Sequence, residues 1–215
     1  MELAVLCDFD GTIAEIDTAV LILDKFNPRG WRALDKRYER GQITLEECLR
    51  KQFSSVVATR EEILNELDQV VTFRSNFEKL IRYCKKKAIP FVIVSAGLDF
   101  VINHFLKQRG WKELVETCTP KTVFGANGID FSFPTLVDKT SANFKQDLVR
   151  SYRAHGKKVI YIGDGAADYP AAISADYPFA IKDSRLAELC ESQRLGCAAI
   201  VDFMQIAEAI RRITT

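Results

Sequence analysis

Four aspartates fall in two pairs, Asp8 with Asp10 and Asp164 with Asp168, and each pair follows directly on a short apolar stretch. Residues 3–7 run into Asp8-Phe9-Asp10-Gly11-Thr12, and residues 159–162 run into Gly163-Asp164-Gly165-Ala166-Ala167-Asp168. A third apolar stretch, residues 91–94, ends in Ser95-Ala96-Gly97. Carboxylates gathered at one place repel one another and shift upward in pKa unless a cation relieves them. A hard divalent ion with oxygen ligands supplies that relief, and Mg2+ binds through a few carboxylates and waters. An isolated Asp-x-Asp is more often a loop or a helix cap, so the weight rests on all three polar ends meeting.

The elements that must position these groups follow from periodicity. Each of the three stretches is apolar without alternation, as expected of a parallel strand covered on both faces. Between them Phe77, Leu80, Ile81 and Cys84 recur at helical spacing, as do Phe100, Val101, Phe105 and Leu106, and Phe144, Leu148, Val149 and Tyr152. Strands alternating with helices predict an α/β fold: a Rossmann-like parallel sheet with helices on both faces. Ligands of such sheets bind beyond the carboxyl ends of the strands, where the polar residues fall.

Residues 16–72 break the alternation and read as several amphipathic helices, interrupted at Asn27-Pro28-Arg29-Gly30 and at Gly41. We expect a helical cap domain here, inserted into a core of residues 1–15 and 73–215, with hinges near 13–15 and 71–75. Asn127-Gly128 between apolar and aromatic residues signals a hairpin. Residues 203–213 read as a closing amphipathic helix.

Composition narrows the function. The 215 residues carry 30 Lys plus Arg against 29 Asp plus Glu, a net charge of +1, which disfavours a nucleic-acid partner bound through a basic field. No apolar run is long enough to span a membrane, and the N-terminus lacks the basic start and apolar stretch of a signal peptide, so a cytoplasmic protein is expected. Six scattered cysteines and two histidines form no zinc motif.

The run Asp8-x-Asp10-Gly11-Thr12, then Ser95, a lysine, and Gly163-Asp164-Gly165-Ala166-Ala167-Asp168 resembles the haloacid dehalogenase (HAD) superfamily of phosphatases, over almost the whole chain. The resemblance implies a Mg2+-dependent phosphomonoesterase acting on a small phosphorylated metabolite. Asp8 would be the nucleophile that forms an aspartyl-phosphate, and Asp10 the acid and base that serves the leaving group and then water. Asp8, the Asp10 backbone carbonyl and Asp164 would hold the metal, supported by Asp168. Ser95, the amides of Ala96 and Gly97, and a lysine would hold the phosphoryl oxygens. Gly11 and Gly165 would let backbone approach metal and phosphate closely. The superfamily's lysine opens the helix before the last motif, which selects Lys145 over Lys139, Lys157 and Lys158.

A helical insert after the first motif resembles the branch that contains the phosphoserine phosphatases and the methionine-salvage enol-phosphate phosphatases. Asn27-Pro28-Arg29-Gly30-Trp31-Arg32 and Ile43-Thr44-Leu45-Glu46-Glu47 look more like the latter. The cap positions that meet amine and carboxylate in phosphoserine phosphatases correspond here to Asp17 and Gln52, with Arg50 or Lys51 as substitutes in a shifted register. Trp31, Tyr38, Phe53 and Phe100 are candidates for an apolar pocket under the cap. A phosphoserine phosphatase, or a phosphotransferase using the same intermediate, is the alternative reading.

Overall fold

The structure is a computed structural model that describes residues 2–214. Chain order runs β1 (Leu3–Cys7), α1 (Thr18–Phe26), α2 (Trp31–Glu39), α3 (Leu45–Phe53), α4 (Arg60–Asp68), α5 (Phe77–Lys86), β2 (Phe91–Val94), α6 (Asp99–Gln108), β3 (Glu116–Cys118), β4 (Lys121–Gly125) and β5 (Gly128–Ser132). It continues through α7 (Phe144–Ala154), β6 (Lys158–Gly163), α8 (Tyr169–Ala172), β7 (Tyr177–Ile181), α9 (Arg185–Ser192), β8 (Ala198–Ile200) and α10 (Met204–Thr214).

Six strands form one sheet in the order β3-β2-β1-β6-β7-β8, and every neighbouring pair is parallel. Apolar burial explains why the expected strands lie at its centre: all of β1 and β2 is buried, and β6 is buried from Val159 onward. The chain steps outward from β1 through β2 to β3, then returns to β6 on the other side of β1 and steps out again to β8. Right-handed crossovers therefore place the connecting helices on opposite faces. The direction reverses between β1 and β6, which opens a crevice at their carboxyl ends.

Helices α1–α4 lie between β1 and α5, where the sequence predicts an insert. Local capping favours them. Thr44 with Glu47 and Thr59 with Glu62 form reciprocal capping boxes at the starts of α3 and α4, and Asp17 caps α1. The chain enters and leaves this block side by side, through an antiparallel bridge between Ala14 and Phe73. Arg74 ties the junction, donating Nε to the Thr12 carbonyl at 2.8 Å and Nη2 to the Gly11 carbonyl at 2.9 Å. The Asn127-Gly128 hairpin is the separate sheet of β4 and β5. It packs on α3 through an edge-to-face contact of Phe131 with Phe53, centroids 5.3 Å apart.

Candidate active site

Three strand ends build the site. The Asp8 N–H donates to the Ile162 carbonyl at 2.9 Å, which extends the pairing of β1 and β6 by one residue and holds the first acid beside the β6 loop. Buried Phe9 then anchors a tight turn, its carbonyl accepting from the amides of Thr12, Ile13 and Ala14. That turn swings Asp10 toward α1, where Asp10 Oδ1 accepts from the Thr18 amide at 3.0 Å and the Thr18 hydroxyl at 2.5 Å. From β2, Ser95 is buried with its Oγ accepting from the Gly97 amide at 3.2 Å.

Lys145 comes from the first turn of α7. Asn143 caps this helix by accepting from the Gln146 amide, while its Nδ2 donates to the Ala167 carbonyl at 2.9 Å, so helix and β6 loop are tied together. Lys145 is 1% exposed, and its ammonium group lies 2.8 Å from Asp8 Oδ2 and 2.7 Å from Asp168 Oδ1. Lys139 is exposed in the loop before α7, and Lys157 and Lys158 pair with Glu2 and Asp176 away from the site. Asp168 spends both oxygens on protein: Oδ1 also accepts the Tyr161 hydroxyl at 2.6 Å, and Oδ2 accepts the amides of Asp164 and Gly165. Asp164 accepts the Thr12 hydroxyl on Oδ1 at 2.7 Å.

Three carboxylates, those of Asp8, Asp164 and Asp168, bring ligand oxygens within 4.8 Å of one another. One ammonium serves them. Burial alone would push both Lys145 and Asp168 toward their neutral forms, but their contact reverses it: Lys145 is held well above its ordinary pKa by Asp168 and Asp8, and Asp168 is held below its own by Lys145. Asp8 and Asp164 get less relief. Burial and the Asp168 charge push Asp8 up to about 7 and Asp164 to about 8. Burial, then the nearby Asp17 charge, pushes Asp10 up to about 8. An all-oxygen cluster whose acids exceed their cation is the donor set that suits a hard divalent ion. Asp8 and Asp164 are the fitting ligands, because each Asp168 oxygen already accepts two donors, whereas each Asp8 oxygen accepts one, from the Phe9 amide and from Lys145.

Close approach is visible at two glycines. Gly11 has φ of 68°, and a Cβ there would lie 2.2 Å from Asp164 Oδ2. A Cβ on Gly97 would lie 2.2 Å from Asp10 Oδ2. Gly165 has a φ of −97°, and a Cβ there would make only ordinary contacts with the protein. Its observed contribution is the amide given to Asp168. The helix that follows this loop starts two residues after Gly97, at Asp99.

These groups open on a cavity of about 300 Å³ whose far wall comes from α1, α2 and α3. Asp17, Trp31, Tyr38 and Gln52 line it, as the sequence suggests. Asp17 stands open to solvent yet ringed by protein, and that crowding raises its pKa. Phe53 and Phe100 do not line it; they pack on the hairpin against Phe131 and Phe124. The shifted register is also excluded: Arg50 pairs with Asp130 on the hairpin, and Lys51 lies outside the cavity. Gln52, 3% exposed, gives its amide to Asp35 Oδ1 at 2.6 Å and to the Trp31 carbonyl at 3.3 Å. Sequence reasoning placed Thr12 in the first motif without giving it a role, and missed Thr18, Asp35, Glu39, Tyr161 and Arg185, none of which sits in a recognisable motif position.

Residues 5–172 match the haloacid dehalogenase-like hydrolase family, and the chain belongs to it. It is a phosphatase of that family, as its full-length relatives are. A 2-hydroxy-3-keto-5-methylthiopentenyl-1-phosphate phosphatase of Geobacillus kaustophilus is 30% identical over 224 residues, covering 99% of this chain and 97% of its own. The Brevibacillus brevis protein of the same name is 28% identical over 217 residues, covering 99% and 96%. Among solved structures, a phospho-aspartyl intermediate analogue of phosphoserine phosphatase superposes with a TM-score of 0.72 at 19% identity, covering 97% of this chain and 98% of that one. At that identity the likeness is one of fold. No helix among the described residues is long and apolar enough to cross a membrane.

Proposed function

We propose that the chain hydrolyses a small phosphomonoester with Mg2+ through a phosphorylated Asp8, with residues 16–72 serving as a cap over a core of residues 1–15 and 73–215. The observation that carries this is the placement of a buried carboxylate, Asp8, on Lys145 at the floor of a cavity sized for a small metabolite. Bound Mg2+, on Asp8, Asp164 and the Asp10 carbonyl, would neutralise charge on the phosphoryl oxygens.

An Asp8 oxygen attacks phosphorus in line, and the bond to the leaving alkoxide breaks as Asp10 donates its proton to that oxygen. An acid pushed up to about 8 holds a proton at neutral pH and is suited to this role. Asp10 then takes a proton from water as water attacks phosphorus, releasing phosphate and restoring the Asp8 carboxylate. Ser95, the Ala96 and Gly97 amides and Lys145 orient the phosphoryl group. Asp168 and Tyr161 hold Lys145 in position. Six cysteines without a disulfide accord with work in the cytoplasm.

The first substrate to try is the enol phosphate named for the full-length relatives. Hydrolysis of that compound and of p-nitrophenyl phosphate, each with Mg2+ and with EDTA, tests the reading. Turnover of neither, or turnover indifferent to EDTA, overturns it. Product analysis with added glycerol separates hydrolysis from phosphotransfer.

A further inference from the structure

Resting on that phosphatase reading, we infer that Asp35, oriented by Gln52, determines specificity: it selects phosphomonoesters whose alcohol portion carries a hydrogen-bond donor or a cation, and it rejects those carrying a second anion. The cap wall offers almost only acceptors. Gln52 commits its amide nitrogen to Asp35 and to the Trp31 carbonyl, which leaves Oε1 as its open atom. Asp35 uses Oδ1 for Gln52 and a long contact from the Cys48 thiol at 3.9 Å, and Oδ2 has no partner among the described residues. No cation pairs with Asp35 among the described residues. Asp17 and Glu39 line the same cavity and are acids as well.

Most donors nearby are already committed. Trp31 gives Nε1 to Asp24 at 3.0 Å, Arg185 lies between Glu39 and Glu188, and Lys145 lies between Asp8 and Asp168. The Tyr38 hydroxyl oxygen accepts from Asn143, so its own O–H is the one neutral donor the wall keeps among the described residues. Burial, with the Asp17 and Glu39 charges, raises the Asp35 pKa against the pull of Gln52, so a ligand donor would stabilise its ionised form. A carboxylate entering this wall would face Asp17, Asp35 and Glu39, and the cations that line it, Arg185 and Lys145, already pair with acids, which is a repulsive discrimination. The Gln52 nitrogen, spent on Asp35 and Trp31, is not available to an anion.

Phosphoethanolamine and phosphoglycolate test this, since both are two-carbon phosphomonoesters that differ in the sign of the distal charge. In the Mg2+-loaded protein, kcat/KM for phosphoethanolamine should exceed that for phosphoglycolate by about a hundredfold, and Asp35→Asn should shrink that ratio by about tenfold, mainly through KM, tenfold being about 1.4 kcal/mol. Calorimetry on Asp8→Asn reads the same ranking as binding without turnover. Equal or better use of phosphoglycolate, or an Asp35→Asn variant that scales both substrates alike, overturns the inference. A protein that ranks the two ligands as expected by calorimetry yet turns over no phosphate ester would instead overturn the phosphatase reading.

Discussion

Replacing Lys145 by Met tests the charge arrangement at the floor of the site. The side chain is 2% exposed, and its ammonium lies 2.8 Å from Asp8 and 2.7 Å from Asp168. Methionine keeps the volume and removes the charge, leaving three crowded carboxylates without a cation. Removing one member of a buried pair costs about 3–5 kcal/mol. For a domain of this size each kcal/mol moves the melting temperature by about 2–4 °C, so the metal-free variant should melt roughly 10 °C below wild type. Adding Asp168→Asn to Lys145→Met should recover a large part of that loss, because the orphaned charge is gone while Tyr161 and the loop amides keep an acceptor. Differential scanning calorimetry in EDTA reads all three proteins. A Lys145→Met protein melting within about 2 °C of wild type would refute the reasoning, since it would mean the ammonium neutralises nothing.

The remaining expectations concern turnover and metal. Gly97→Ala places a methyl where Asp10 Oδ2 now lies, so Asp10 must move, and kcat for an aryl phosphate should fall about a hundredfold or more, read by steady-state kinetics. Lys139→Ala, an exposed loop change, should leave kcat/KM within about twofold, whereas Lys145→Met should lower it by orders of magnitude; the reverse order would reassign the lysine. Asp8, Asp10 and Asp164 bind protons more tightly folded than unfolded, so in the metal-free protein their stabilising contribution is whole below the ordinary carboxylate range and is lost as pH rises through about 7 to 8. Mg2+ competes with those protons, so the rise in melting temperature on adding it should be larger at pH 8 than at pH 6; a rise that is equal or larger at pH 6 would contradict the assigned cluster.

The catalytic end of the molecule was far more legible than the cap. Three buried strands announce themselves as short apolar runs, and a polar residue at a strand's carboxyl end can go few places in a parallel sheet. Strands β3 and β8 escaped notice because edge positions relax the demand for apolar residues and each has only three, while β7, inside the sheet, is broken as a pattern by Pro178. Helical spacing marks Phe53 in the cap and Phe100 on α6 as inward-facing without saying what they face, and it is the hairpin. Asp35 and Glu39 fall on α2 among charges that read as a solvated face, and Arg185 opens α9 on the other side of the cavity. Their meeting depends on how the block of α1–α4 docks, which no local pattern encodes. Asp17 and Gln52 were identifiable as polar contacts of the cap, but the pairing of Gln52 with Asp35 was not.

The central claim is that Asp8 carries the phosphoryl group. Acid-quenching the Mg2+-loaded protein during turnover, followed by peptide mass spectrometry, tests it most directly. The account predicts one phosphoryl group on Asp8, absent in Asp8→Asn, and an Asp8→Asn protein that folds but does not turn over. Phosphate found on another residue, or hydrolysis by Asp8→Asn within about tenfold of wild type, would contradict it.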